Sequence, residues 1–478
     1  MLIFKKERNI ILLLLVWVFS LSLAYSVLSI TRHNHFESGG FDLGIYDQGI
    51  WLYSHLETPY STIKERLLLG DHFTITLPLL SPLFYIWDNV RSLLIAQAFF
   101  ITFSSFAVYL IARIRKLSHS ASFLFAVIYS LFYGIQYGVY FDAHPIVFAA
   151  AILMWLIYFY ESKRIKLFFL SLVLFLLTQE NTGIALAGVG IIYFFQKEHR
   201  RNAVLFILGG LLTSLAEVRI ISYFSPSGYE YSPHFNLNPI DYLKRYFDAP
   251  DKILVWKYSL SSFSFLPLLS PPSILAMMLD LSQYFLPDKQ YPHMITPFFH
   301  HRVILAPILA LGSLQGILFL KKRGLNTAYL LLGAFIVVSF FQFKNHNPLN
   351  KLTKPIYYAN YAWMDDNEKI IAKVPKNASV ASQQSLVPHL SHRKYIYLIW
   401  PRKKSDLKLC SGQKECWWLD FGGKPEYLVI DTHEGATLTQ LLESRENFVS
   451  ALSNMQKAGK ISLFKSQNAA QIYKINYR

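Results

Sequence analysis

The sequence predicts an α-helical polytopic membrane protein of about eleven spans, with a small α/β C-terminal domain outside the bilayer. Three observations predict it. The chain is 53% hydrophobic and only 16% charged, where soluble domains carry about a quarter charged residues. Its apolar runs repeatedly reach the roughly 20 residues needed to cross about 30 Å of hydrocarbon. After Lys354-Pro355 that pattern gives way to short β-rich runs of a soluble kind.

The first run, Ile10 to Ile30, follows Lys5, Lys6 and Arg8. It lacks a small-residue cleavage site after a short apolar core, so it reads as an anchor and not a signal peptide. Further runs occupy 92–112, 121–140, 146–160, 167–179, 183–196, 202–224, 301–320 and 326–342. The apolar stretch 253–288 is broken by Pro267, Pro271 and Pro272. Two short spans and a re-entrant hairpin both remain open there; two crossings give the total of eleven.

A net charge of +16 would suit a nucleic-acid partner, but the basic residues are distributed otherwise. Lys5/Lys6/Arg8, Arg113/Arg115/Lys116, Lys163/Arg164/Lys166, Lys197/Arg200/Arg201 and Lys321/Lys322/Arg323 fall at alternate ends of consecutive spans. That is the pattern of cytoplasmic loops, and it argues against nucleic acid. The reading places the N-terminus inside, and 31–91, 225–252 and everything after Phe343 outside. The expected domains are a transmembrane unit over 1–342, including the 31–91 loop, and an external unit over 355–478.

Within the latter, ASVAS (378–382), KYIYLI (394–399), EYLVID (426–431) and QIYKI (471–475) read as strands and 438–458 as a helix. Two cysteines exclude a disulfide scaffold and a four-cysteine zinc site. Cys410 and Cys416 flank SGQKE in a domain read as external, where oxidising conditions let a disulfide persist. The bridge is expected to contribute about 2–3 kcal/mol.

The first external loop carries the most chemistry. It reads GGFDLGIYDQGIW from Gly39 to Trp51. Asp42 and Asp47 beside the bilayer surface could serve as a general base and as a metal or hydroxyl ligand; solvated loop carboxylates are about as common. Downstream, 70–89 is amphiphilic and proline-broken, which suits an interfacial helix pair. YFDAHP (140–145) brings Asp142 and His144, TQENTG (178–183) brings Glu180, and FFHHR (298–302) brings His300, His301 and Arg302. Each alone reads as readily as a loop residue or interfacial anchor. Together they fall on one predicted face, and ionisable groups near the membrane usually face a cavity. A shared external pocket is the expectation.

FDLGIYDQGIW, GDHF (70–73, with His72), FDAHP and the late HHR resemble a family of prokaryotic membrane proteins of unknown function within the GT-C superfamily of polytopic glycosyltransferases. The long first external loop with early aspartates, the interfacial segment and the external C-terminal domain resemble that superfamily as a whole. The family carries a basic–acidic pair in the TQEN region; this chain has Gln179 before Glu180. The resemblance implies sugar transfer from a polyprenyl-phosphate donor to an acceptor at the external membrane face. It implies Asp42 as the base and Asp47 as a ligand to substrate or to a divalent cation such as Mg or Mn. Arg302 and the neighbouring histidines would neutralise the departing lipid phosphate, with His72, Asp142, His144 and Glu180 in the same substrate site. The partners are then the lipid-linked donor, membrane lipid and an acceptor the sequence leaves open. A lipid or glycan flippase and a non-catalytic envelope-assembly protein are the alternatives, and the proline-broken 253–288 stretch favours the former.

Overall fold

The computed structural model describes residues 2–231, 239–288, 291–399, 421–437, 440 and 444–477. Cys410 and Cys416 lie outside the described residues. The chain divides into two compact units. One comprises 1–29, 72–76 and 94–354; the other comprises 30–71, 77–93 and 355–478.

The first unit is helical. Five helices are long and apolar enough to cross a membrane, within Glu7–Asn34, Arg91–Ile114, Lys197–Phe224, Leu305–Lys322 and Thr327–Lys344. A pair bent by 45°, His119–Ser130 with Tyr133–Phe141, makes a sixth. The helices Pro145–Glu161, Ile165–Leu176 and Thr182–Phe194 are apolar but shorter, roughly 18–26 Å at 1.5 Å per residue. By length and composition the described residues therefore supply five candidate spans, or six if the bent pair is one span, where eleven were expected. The shorter helices are cut by the polar turns that carry His144 and Glu180. The 253–288 stretch folds as Pro250–Ser261, a 3-10 turn at Leu266–Leu269, and Pro271–Phe285.

The first helix shows how the sequence builds a span. Leu14, Val18, Leu21, Tyr25 and Leu28 recur at spacings of three and four and are buried, while Leu12, Leu13, Val16, Phe19 and Leu23 are exposed. A helix apolar all round, with one face packed and the other open, is built to meet lipid. The helices Thr182–Phe194 and Arg200–Phe224 approach by a different device. A Cβ added at Gly183 would lie 2.1 Å from the Gly210 carbonyl oxygen, so only glycine lets these backbones touch, as small residues do in membrane helix pairs.

The second unit is built on a five-stranded sheet. A short ribbon in the loop, β1 (Tyr60–Ser61) with β2 (Arg66–Leu67), precedes it. The sheet proper contains β3 (Val380–Ser382), β4 (Ile396–Leu398), β5 (Tyr427–Asp431), β6 (Ile461–Gln467) and β7 (Ala470–Ile475) in the order β4-β3-β5-β7-β6. β3 runs parallel to β4 and β5, while β7 pairs antiparallel with β5 and β6. The four strands expected from sequence are present, and β6 was not expected. The helix Arg445–Lys457 covers one face, with Phe448, Ala451, Leu452 and Met455 packed on Leu428, Ile430 and Tyr473. Leu428 and Ile430 alternate with the equally buried Val429, as expected of a strand buried on both faces.

The sequence reading kept 31–91 with the spans, whereas 30–71 and 77–93 pack with 355–478. Backbone and side-chain bonds make this association. Gly40 N donates to Gln384 O at 3.0 Å, Thr62 Oγ1 bonds Ile396 O at 2.5 Å and receives Ile396 N at 2.9 Å, and Lys394 pairs with Glu57 at 2.8 Å. The segment 77–86 forms a 3-10 turn, Leu77–Leu80, and a short helix, Pro82–Ile86. Leu79, Tyr85, Ile86 and Trp87 are exposed, in keeping with an interfacial helix pair.

Candidate functional site

In the first unit, polar residues distant in sequence converge on two linked clusters. Glu180 is the centre of one. It follows the helix Ile165–Leu176 in a turn and is 3% exposed. His72 Nδ1 lies 2.8 Å from its Oε1, Tyr229 donates its hydroxyl to the same oxygen at 3.0 Å, and Phe73 N donates to Oε2 at 3.1 Å. Burial by itself would raise this carboxyl. The His72 charge and hydrogen bond, with the Phe73 backbone N–H, outweigh burial and hold it below the usual carboxylate range. The basic partner that Gln179 does not supply thus comes from His72, 108 residues earlier.

The second cluster is a chain of imidazoles beside an arginine. Gln97, on the helix Arg91–Ile114, donates to Asp142 O at 3.0 Å and accepts from His144 N at 2.7 Å. These bonds fix the turn that carries both residues, and Asp142 itself is 1% exposed. The His144 ring stacks on His300 with centroids 3.8 Å apart, and His300 meets His301 at 4.1 Å. His72 lies 6.5 Å from His144, which links the two clusters. His300–Arg302 form a 3-10 turn ahead of the helix Leu305–Lys322, not the first turn of that helix.

Arg302 is the most unusual of these residues. It is fully buried, with its guanidinium 4.8 Å from the Tyr284 ring centroid and 5.5 Å from that of Phe285. Nε donates to Thr296 O at 3.4 Å and Nη2 donates to Met294 O, but Nη1 has no hydrogen-bond partner among the described residues. No ion pair satisfies it there either. Asp280, also buried, acts on it electrostatically. Sequence reasoning did not select Asp280, and a carboxylate in the interior of the apolar stretch was the available signal.

The second unit holds the two loop aspartates. Gly40–Gly44 form a π-helical turn, closed by Gly44 N donating to Gly39 O at 3.1 Å. Such turns recur at functional sites. Asp42 lies in it and is half-buried. The helix Ile45–Ser54 continues directly from it and carries Asp47, which is fully buried. Ser391 Oγ donates to Asp47 Oδ2 at 2.5 Å, and His392 Nε2 lies 3.0 Å from Oδ1. His392 Nδ1 is in turn 2.6 Å from Asp88 Oδ1. Asp47, expected as a ligand to substrate or to a divalent cation, has one oxygen on Ser391 and the other on His392.

Burial by itself would lower the His392 pKa. The Asp47 carboxylate, bonded to the ring, and Asp88 outweigh burial and raise it from 6.5 to about 9. A group whose folded pKa is raised stabilises fully below its unfolded pKa and loses that contribution as pH climbs through the folded value. Asp88 is 61% exposed, so solvent screens part of the effect, leaving about 1–2 kcal/mol. The thermal midpoint of the wild-type protein is expected to fall between pH 6.5 and 10, and that of His392→Gln to fall less. Parallel pH curves would show that this network carries no linked proton.

The helices and polar turns define a multi-pass membrane protein with buried charge in its helical unit and a carboxylate–imidazole network in its sheet-containing unit. Residues 32–449 match the family described as "Predicted membrane protein (DUF2079)", and the chain belongs to that family. A comparison with the curated proteins finds no match. Among solved structures, the chain is similar to ArnT from Cupriavidus metallidurans, crystallised bound to undecaprenyl phosphate. The identity is 11% and the TM-score 0.49, over 96% of this chain and 97% of that one.

Proposed function

We propose that this protein is a membrane glycosyltransferase of the GT-C kind. It moves a sugar from a polyprenyl-phosphate donor to an acceptor at the external membrane face. Arg302 is the observation that carries this reading. A fully buried guanidinium with one nitrogen unpartnered among the described residues is costly unless an anion completes it. Guanidinium geometry suits phosphate, and the turn bearing Arg302 leads into an apolar helix long enough to span. A phosphate carried on a lipid chain is the anion that reaches such a place.

Arg302 neutralises the negative charge that grows on the phosphate as the glycosidic bond breaks, with His300 and His301 beside it. His72 and Glu180, with Asp142 and His144, shape the surrounding wall. Asp42 takes the acceptor hydroxyl's proton as that oxygen attacks the anomeric carbon. It is preferred to Asp47 because Asp47 is buried with both oxygens engaged. No step is derived through a metal ion.

The test is incubation of purified full-length protein with labelled polyprenyl-phosphate sugars and candidate acceptors. The expected result is time-dependent release of polyprenyl phosphate with label passed to product. Movement of intact donor across a vesicle membrane, without release, would replace this reading with a flippase.

A further inference from the structure

We infer that His392 is a positioning residue for the reaction proposed above, on which the inference rests: through the buried Asp47 carboxylate it holds the Gly40–Gly44 turn, and so Asp42, in one place. Asp42 and Asp47 lie on one continuous stretch of helical backbone, since the turn ends at Gly44 and the next helix begins at Ile45. Whatever fixes Asp47 therefore limits where Asp42 can go. His392 and Ser391 occupy both Asp47 oxygens, and Asp88 occupies the other ring nitrogen of His392. An imidazole can donate from both nitrogens only when doubly protonated. The ring is thus a cation between two carboxylates.

The same short stretch of chain grips the turn at two more points. Gly40 N donates to Gln384 O at 3.0 Å. A Cβ on Gly44 would come within 2.9 Å of Val387 Cγ1, so the turn sits directly on that side chain. Segment 384–392 thus bears on segment 40–47 at its start, middle and end. Few other groups face the His392 ring. Phe84 packs at 4.5 Å, and His55 and Lys376 act on Asp88. A neutral residue at 392 would leave the Asp47 charge buried without its cation, and the helix Ile45–Ser54 would have to shift to rehydrate it. On this inference the 384–392 segment takes part in the chemistry by fixing the base, which the first loop of the same unit carries.

The test uses full-length protein in lipid nanodiscs and two readouts. His392→Gln is expected to speed amide hydrogen exchange over 45–54 by about tenfold, with 305–322 unchanged. Its kcat per folded molecule should fall roughly 10–100-fold, the scale of a small misplacement of a reacting group, with the KM for a polyprenyl-phosphate sugar within about twofold of wild type. His392→Arg, which keeps a cation able to donate to both carboxylates, should restore most of the rate. Ser391→Ala removes one tie only and should give a smaller loss, so the idea stays testable if His392→Gln does not fold. Faster exchange with an unchanged kcat would mean that His392 stabilises the loop without positioning the base. Unchanged exchange would mean that the clasp does not hold the loop. A wild-type protein that transfers no sugar would sink the glycosyltransferase reading and the catalytic half of the inference, and the exchange data would then decide the clasp by themselves.

Discussion

Asp42→Asn is expected to slow sugar transfer by about 10²–10⁴-fold, the usual contribution of a positioned general base, while expression and donor binding stay near wild type. Asparagine keeps the size of the side chain and much of its hydrogen bonding but lacks the basic oxygen. Asp47→Asn makes the informative comparison. It removes the charge that His392 faces at 3.0 Å, so it should lower the thermal midpoint as well as the rate. The measurement is initial rate per folded molecule, with the melting curve taken alongside. A fully active Asp42→Asn beside a dead, well-folded Asp47→Asn would move the base to Asp47. Full activity in both would remove the loop from the chemistry altogether.

Arg302→Met is expected to have the other large effect. It removes the guanidinium but keeps an unbranched apolar stem against Tyr284 and Phe285. Losing a preorganised charge that stabilises the leaving phosphate should cost about 10²–10³-fold in kcat, and it should also weaken binding of polyprenyl phosphate. Stability should move the other way. A buried ionic group replaced by a well-packed apolar one is often neutral or stabilising, so the unliganded variant should melt no lower than wild type. Weaker binding with an unchanged or raised melting point is the signature of an anion site. Unchanged binding of polyprenyl phosphate would assign Arg302 to architecture.

Much of the fold was legible in the sequence because its signals are local. A span announces itself by about 20 consecutive apolar residues, and the helices at Arg91–Ile114 and Lys197–Phe224 occupy the runs read at 92–112 and 202–224. β3, β4 and β5 fall inside three of the four short runs picked out by residue type, and β7 begins one residue before the fourth. β6, ISLFKSQ, escaped because its middle is exposed and offers no apolar run. Helix length and composition yield five or six candidate spans among the described residues, against the eleven expected. Apolar composition identifies a segment that avoids water, but it does not say whether that segment is long enough to cross or folds back as a shorter helix.

What the sequence determined by itself was the class of protein, the positions of its long apolar helices, the change of character after Lys354, and the loop and turns that bear ionisable groups. The tertiary structure decided which of those groups meet. It gave Glu180 its partner in His72 and bound Asp47 to His392, 345 residues away. It buried Arg302 with a guanidinium nitrogen unpartnered among the described residues, and it folded most of the first loop with the C-terminal strands. Hydropathy and strand alternation are properties of neighbouring residues, so they can be read along the chain. The pairing of one carboxylate with one imidazole depends on where the backbone carries each of them, and no local pattern encodes that.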